Sequence, residues 1–193
     1  RIIDRFLIAV QRGGARPVLC VNKIDQTTSD ADLAPLAPYR AVDVPILHCS
    51  TWESVGIDEL RQELKGQLAA FVGHSGVGKS SLLNALRPDL GLEVGDLMRN
   101  WRRGAHTTTQ AHLWDVGDGT LVIDIPGIRE FGLWSVSAEE LARYFPEFAT
   151  AICRFRDCRH EREPGCGVRA AVERGDVPRE RLETYLRLAE QLE

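Results

Sequence analysis

Two patterns of hydrophobic positions alternate along the chain: short apolar runs and apolar residues at helical spacing. The short runs are rich in β-prone residues and are typical of buried parallel strands. They cover residues 17–21, 44–49 and 68–72. Helical spacing places Leu60, Leu64 and Leu68 on one face of a single helix. The predicted helices cover 2–11, 57–68 and 79–86, with a short or broken helical segment over 30–39.

A hairpin is predicted where Gly117, Asp118 and Gly119 separate two β-prone runs, 111–116 and 120–125. The region before it, residues 90–111, is polar and lacks periodicity, so we expect a loop there. Later helices are predicted to begin near Ser137 and to cover 168–174 and 179–191.

Strands that alternate with helices predict an α/β fold with a mostly parallel sheet flanked by helices. We expect this domain to cover residues 1–148 and a small helical domain to cover 149–193.

The composition is that of an ordinary globular protein: 193 residues, 44% of them hydrophobic, with a net charge of −4. No apolar run approaches the roughly 18 residues that a membrane-spanning helix needs. The chain begins at Arg1 and no leader-like segment follows, so we expect a fragment without a signal peptide. The odd number of cysteines, five, favours a reducing cytoplasm over a disulfide framework.

A phosphate-binding loop is predicted between the third strand and the helix that follows it. The segment fits the pattern G-x-x-x-x-G-K-[ST], in which backbone N–H groups and the helix N-terminus surround phosphates. Its members are Gly73, His74, Ser75, Gly76, Val77, Gly78, Lys79 and Ser80, with Ser81 next. Lys79 can reach the β and γ phosphates.

Three hydroxyl or carboxylate side chains are candidate Mg²⁺ ligands: Ser80, Thr108 and Asp124. Asp124 ends a strand and opens the segment Asp124-Ile125-Pro126-Gly127, in which the Gly127 N–H can sense a γ-phosphate. Thr108 is our choice among three adjacent threonines, 107–109, and an ordinary polar loop is the alternative interpretation.

A guanine-reading site is predicted at the ends of the first two strands. Asn22, Lys23 and Asp25 follow the first strand, and an Asp carboxylate there can accept two N–H bonds from a guanine edge. Ser50 and Thr51 follow the second strand and fit the role of backbone support for the guanine O6.

The motifs occur in an unusual order, because the base-reading segment precedes the phosphate loop. Joining the usual chain ends and cutting elsewhere leaves a sheet intact, since domain termini often lie close together. The order therefore predicts a circular permutation.

A structural zinc site is predicted from three thiols and one imidazole at close spacing, which make a full tetrahedral ligand set. The ligands are Cys153, Cys158, His160 and Cys166. The other two cysteines, Cys20 and Cys49, lie on predicted buried strands and are interpreted as core residues.

The position that carries a water-orienting glutamine in many GTPases is Ile128, which cannot hydrogen-bond a water molecule. His106 is the candidate catalytic group in its place, and an exposed loop histidine is the alternative. We therefore expect slow intrinsic turnover and dependence on a partner.

Taken together, N-K-I-D, G-H-S-G-V-G-K-S-S-L-L-N, H-T-T-T, D-I-P-G and the Cys/His tail resemble the circularly permuted ribosome small subunit-dependent GTPase A family. The resemblance implies hydrolysis of GTP to GDP with Mg²⁺, one structural Zn²⁺, and a role in late maturation of the small ribosomal subunit with rRNA binding. It also implies a cytoplasmic monomer without membrane contact. The resemblance also implies an N-terminal OB-fold and a first strand of the permuted domain, and we expect both to fall outside the given residues.

Two other functions fit the same motifs. One is a permuted GTPase whose partner is not the ribosome. The other is a zinc-stabilised RNA-binding module that uses GTP only as a structural ligand, and Ile128 keeps this alternative open.

Overall fold

The computed structural model describes residues 2–42, 44–92, 112–124 and 136–192, with only the backbone given at Asp124 and Ala138. Two compact units emerge from the packing. The sheet unit comprises residues 18–32 and 46–130, and the helical unit comprises residues 1–17, 33–45 and 131–193. The predicted division after residue 148 stays a prediction.

The strands of the sheet unit are β1 (Leu19–Asn22), β2 (Ile46–Cys49), β3 (Leu68–Phe71), β4 (His112–Gly117) and β5 (Thr120–Asp124). The strand β1 pairs with β2 in parallel, with Asn22 opposite Cys49. In a second set, β5 lies between β3, to which it is parallel, and β4, to which it is antiparallel. Mostly parallel pairing confirms the predicted α/β class, and parallel strands bring the loops after their carboxyl ends to one edge.

The helices α4 (Ile57–Leu64) and α5 (Lys79–Leu86) share one core cluster with residues of both strand sets. Their core residues are Ile57, Leu60, Leu64, Leu82, Leu83 and Leu86, packed with Val116 and Val122. The predicted bounds of α5 are confirmed. The prediction that α4 continues to Leu68 is wrong: the chain turns at Gly66, which has a φ of 69°, and Leu68 begins β3 with 66% of its surface exposed.

The predicted hairpin is confirmed. Gly117 pairs with Thr120, and the two residues between them, Asp118 and Gly119, have φ angles of 51° and 73°. Positive φ at both turn positions is the type I′ geometry, which matches the twist of the adjoining strands and favours Asp-Gly.

The helical unit contains α1 (Ile2–Arg12), α3 (Ala37–Arg40), α6 (Ala138–Leu141), α7 (Gly167–Arg174) and α8 (Arg179–Ala189), and the short α2 (Asp30–Leu33) precedes α3. The helix expected near Ser137 begins there with a capping box, in which Ser137 Oγ accepts from the Glu140 N–H at 3.2 Å. One buried cluster unites this unit, from Ile8 of α1 to Leu188 of α8. Among the described residues, every helix is too short or too polar to cross a membrane.

Candidate nucleotide site and metal centre

The predicted phosphate loop lies between β3 and α5 and is shaped by its glycines. Gly78, the residue before α5, has a φ of 94°, and a Cβ at this position would lie 2.3 Å from Asn22 Nδ2. Glycine is therefore required by both the backbone conformation and the close approach. Residues 74–77 are exposed, while Gly73 and residues 78–81 are half-buried.

The Lys79 side chain curls back over this loop. Its Nζ donates to Gly73 O at 2.7 Å and to His74 O at 3.0 Å. Ser80 and Ser81 follow it in the first turn of α5, where backbone N–H groups and the helix dipole favour an anion.

The predicted base-reading segment reaches the same loop from the end of β1. Asn22 Nδ2 donates to Val77 O at 3.0 Å, and Lys23 Nζ donates to Gly76 O at 2.7 Å. Asn22 Oδ1 is buried without a hydrogen-bond partner among the described residues. A buried acceptor of this kind is normally paired with a hydrogen-bond donor. Residues 53 and 55 positions apart in sequence are thus joined in space.

Asp25 is held from the end of β2. Ser50 Oγ donates to Asp25 Oδ1 at 2.6 Å and accepts from the Glu53 N–H at 3.1 Å. The turn is closed by two backbone bonds between Ser50 and Val55, at 2.9 and 3.0 Å. Ser50 is fully buried, whereas the Asp25 carboxylate stays exposed and Thr51 is half-buried. A fixed yet accessible carboxylate can accept hydrogen bonds from a ligand.

Four of the sequence-predicted residues cannot be placed in this geometry. His106, Thr108, Gly127 and Ile128 lie outside the described residues. Asp124 is the last residue of β5 and pairs with Phe71 of β3, the strand that leads into the phosphate loop. Its backbone position is therefore beside that loop.

The four predicted zinc ligands lie together, with their ligand atoms all within 4.8 Å of one another. His160 Nδ1 is 3.6 Å from Cys153 Sγ and 3.5 Å from Cys166 Sγ, and these two sulfurs are 4.0 Å apart. Tetrahedral zinc with ordinary bond lengths requires about 3.6 Å between nitrogen and sulfur and about 3.8 Å between sulfurs. The residues therefore fit a structural zinc ion.

The surroundings of the cluster suit metal binding as well. Burial lowers the pKa of His160, which favours the neutral imidazole that a metal requires. The Gly167 N–H donates to Cys153 Sγ at 3.3 Å, an arrangement that stabilises a thiolate. A Cβ at Gly167 would lie 2.3 Å from Ile152 O, so this close approach needs glycine.

The interpretation of the other two cysteines as core residues is confirmed, and both lie in the sheet unit. Cys49 is fully buried and Cys20 is half-buried, with their sulfurs 3.5 Å apart. Burial raises the pKa of the Cys20 thiol to about 12, with Cys49 adding to the effect. Both are packed against the α4 and α5 cluster.

The class follows from four features: an α/β unit with parallel strands, a glycine-rich loop that enters a helix, a segment from an earlier strand bonded to that loop, and a Cys₃His cluster. They define a circularly permuted P-loop GTPase with an appendage whose Cys₃His cluster is compatible with zinc. The model of the RsgA GTPase family matches residues 1–134. The chain belongs to the RsgA GTPase family.

Similar proteins support the assignment. The small ribosomal subunit biogenesis GTPase RsgA of Pseudomonas fluorescens SBW25 is 46% identical over 189 residues, which cover 95% of this chain and 55% of that protein. RsgA 1 of Vibrio vulnificus YJ016 is 44% identical over 197 residues, covering 99% and 56%. The chain thus spans about half the length of the curated relatives it matches.

Solved structures show the same fold. The crystal structure of YjeQ from Thermotoga maritima superposes with a TM-score of 0.83 at 36% identity, covering 99% of this chain and 65% of that one. YloQ, described as a circularly permuted GTPase, has a TM-score of 0.77 at 28% identity, covering 99% and 62%. The permutation predicted from motif order is confirmed.

Sequence reasoning missed two side chains in the sheet unit. It assigned Ser50 a backbone role, but the hydroxyl itself binds Asp25. It gave Asn84 no role, although this residue bonds both backbone groups of Leu92. An Asn inside a helix is a usable signal, because such residues compete for backbone hydrogen bonds and are disfavoured there.

Proposed function

We propose that this protein is a GTPase that binds guanine nucleotides between the phosphate loop and the segment 22–25, and that it serves maturation of the small ribosomal subunit. The observation that carries the proposal is the pair of side-chain bonds from Asn22 and Lys23 to the phosphate-loop backbone. These bonds hold the predicted base-reading segment against the phosphate loop.

Selection of guanine rests on Asp25. Its carboxylate accepts hydrogen bonds from the N1–H and exocyclic amino groups of guanine, whereas adenine presents an acceptor at the N1 position. A carboxylate left facing an acceptor loses its solvation without compensation, which disfavours ATP. The bond from Ser50 holds the carboxylate in position.

Phosphate binding rests on the loop 73–80 and the N-terminus of α5. The loop N–H groups and the Lys79 ammonium offset the negative charge of the phosphates. Magnesium, when bound, neutralises charge on the β and γ phosphates, and we assign Ser80, Thr108 and Asp124 as its protein ligands. Gly127 would sense the γ-phosphate.

Hydrolysis requires a polar group to orient the attacking water, and Ile128 does not supply it. We assign that role to His106. Because Ile128 cannot orient the water, we expect slow intrinsic turnover and stimulation of hydrolysis by a partner.

The proposed partner is the small ribosomal subunit, in the cytoplasm, with the protein acting as a monomer. The relatives are named for small ribosomal subunit biogenesis. In the helical unit, the zinc cluster carries four exposed arginines on its loops, Arg154, Arg156, Arg159 and Arg162. Arg154 lies over the exposed ring of Phe155 at 5.5 Å, a pairing suited to phosphate contact and base stacking on rRNA.

The test uses the full-length protein. Calorimetry compares GTP, GDP and ATP, and phosphate release is followed with and without purified small subunits, with Lys79→Ala as the inactive control. We expect binding of GTP and GDP but not ATP, and release stimulated by subunits. Equal heats for ATP and GTP contradict the nucleotide assignment, and GTP binding without stimulation favours an RNA-binding module with GTP as a structural ligand.

A further inference from the structure

One carboxylate bonds the loop that carries His160 on both sides of that residue. Glu163 Oε1 accepts from the Arg159 N–H at 2.8 Å, and Glu163 Oε2 accepts from the Arg162 N–H at 3.1 Å. Partial burial raises the pKa of Glu163, but the backbone N–H groups, that of Arg159 foremost, outweigh this effect and lower the pKa below its ordinary value. The turn that presents the imidazole is thus attached to a single charged side chain.

His160 has a backbone conformation that needs such support. Its φ is 62°, in the left-handed region where residues other than glycine are uncommon. A conformation of this kind costs about 1–3 kcal/mol and persists only where the surrounding structure enforces it. The residue is buried, and its Nδ1 lies 3.6 Å from Cys153 Sγ and 3.5 Å from Cys166 Sγ. The direction of this ligand atom therefore depends on the geometry of the turn.

The imidazole ring is also confined by two buried aromatic side chains. The ring centroids of Phe148 and Tyr185 each lie 5.5 Å from that of His160, and the two aromatic rings are 5.3 Å from each other. These contacts limit where the ring can lie. The backbone from which the ring projects is the part that Glu163 bonds.

The arrangement requires two acceptor atoms on one side chain. A carboxylate accepts through both oxygens, whereas an amide has one acceptor and would turn a donor toward the second N–H. Glu163→Gln therefore keeps the size of the side chain and loses one of the two bonds.

We propose that Glu163 is a positioning residue for the metal ion, which directs His160 Nδ1 toward the cysteine sulfurs by bonding the turn on both sides of the histidine. Carboxylates outside the ligand set usually accept from the ligand imidazole itself. Here the carboxylate acts through backbone N–H groups. A turn that is already in place loses less conformational freedom when an ion binds, which strengthens binding. The inference rests on the predicted zinc site and is independent of the nucleotide site.

The first experiment measures the zinc affinity of the full-length protein by competition with a chelator. We expect Glu163→Gln to bind zinc roughly tenfold more weakly than wild type, within the range found when residues that support metal ligands are replaced. Glu161→Gln is the matched control, because it removes the same charge from the same loop at an exposed position. The Glu161 contact to Arg169 Nη1 is made by its backbone O. The control should stay within about twofold of wild type.

The second experiment replaces zinc by Co²⁺, whose visible absorption bands report the geometry of its ligands. We expect these bands to shift in Glu163→Gln, because the imidazole is displaced, and to superpose on those of wild type in Glu161→Gln. If Glu163→Gln does not fold, Glu163→Asp, which is shorter by one methylene group, is compared with Glu161→Asp under the same expectations.

Three outcomes would overturn the inference: wild-type zinc affinity in Glu163→Gln, an equal loss in both variants, or a selective loss with an unchanged cobalt spectrum. The last would show that Glu163 stabilises the loop without orienting His160. Wild type that binds no zinc would instead refute the predicted zinc site on which the inference rests.

Discussion

At the scale of single residues, the proposed base-reading site combines a buried hydroxyl with the exposed carboxylate to which it donates. Ser50 is fully enclosed, and its oxygen links Asp25 to the backbone of Glu53. A hydrogen bond to a charged group contributes about 1.5–3 kcal/mol, more than one between neutral groups. In the proposed guanine site, we therefore expect orientation of the carboxylate to contribute substantially to binding.

Removing that hydroxyl should weaken guanine nucleotide binding without abolishing it. For Ser50→Ala we expect GDP affinity to fall by roughly tenfold, since a charged hydrogen bond of about 1.5 kcal/mol is lost. Calorimetric titration with GDP measures the change. Ser54→Ala, at an exposed position in the same turn, should bind GDP as wild type does. Equal affinities for Ser50→Ala and wild type would show that Asp25 needs no support.

The residues of the nucleotide site differ in how far sequence could predict them. The phosphate loop could be located because its glycines adopt backbone conformations and close contacts that only glycine allows, as at Gly78. The bond from the Ser50 hydroxyl to Asp25 could not be predicted, because these two residues become neighbours only when the first two strands pair.

At the scale of elements, hydrophobic periodicity predicted whether a segment is a helix or a strand better than it predicted the residue at which the segment ends. The leucines at 60, 64 and 68 fit one helical face, yet only the first two are buried in α4. The helical spacing of a leucine does not show whether the helix has already ended before that residue. The stop comes from Gly66, whose left-handed conformation ends the turn and lets Leu68 start β3.

At the scale of elements, the Cys₃His cluster would make a large contribution to stability if it binds the predicted zinc ion. Cys166 is both a candidate ligand and the N-cap of α7, and Val168 in the first turn of that helix is buried in the core of the helical unit. A structural zinc contributes about 10–16 kcal/mol. The total stability of a domain is about 5–15 kcal/mol.

Loss of a zinc ligand should therefore unfold the helical unit. For Cys166→Ser we expect zinc content to fall from about one ion per chain to near zero and helical circular dichroism to decrease. Zinc is measured by atomic absorption and helicity in the far ultraviolet. Cys20→Ser, a cysteine of the sheet unit outside the cluster, should keep its zinc. Full zinc content in Cys166→Ser would contradict the ligand assignment.

At the scale of the whole chain, the first and last helices of the helical unit are joined by buried charges. Arg181 of α8 donates through Nη1 to Asp4 of α1, 177 positions away, and through Nε to Glu147. Tyr39 donates to the other oxygen of Asp4 at 3.0 Å. Periodicity identified α1 and α8 as separate amphipathic helices. It could not show this link, because a charged residue in a helical pattern is ordinarily assigned to the solvent face.

Neutralising Arg181 should destabilise the helical unit strongly, since it leaves two buried carboxylates without their shared cation. Arg181, Asp4 and the Glu147 side chain are each 5% exposed or less, and breaking a buried ion pair by removing one partner costs about 3–5 kcal/mol. We expect Arg181→Met to lower the free energy of unfolding by about that amount, measured by urea denaturation. Arg179→Met, at an exposed position on the same helix, should change it by less than about 0.5 kcal/mol. If both variants unfold at the same urea concentration, the charges at the two ends of the chain contribute nothing to holding α1 against α8.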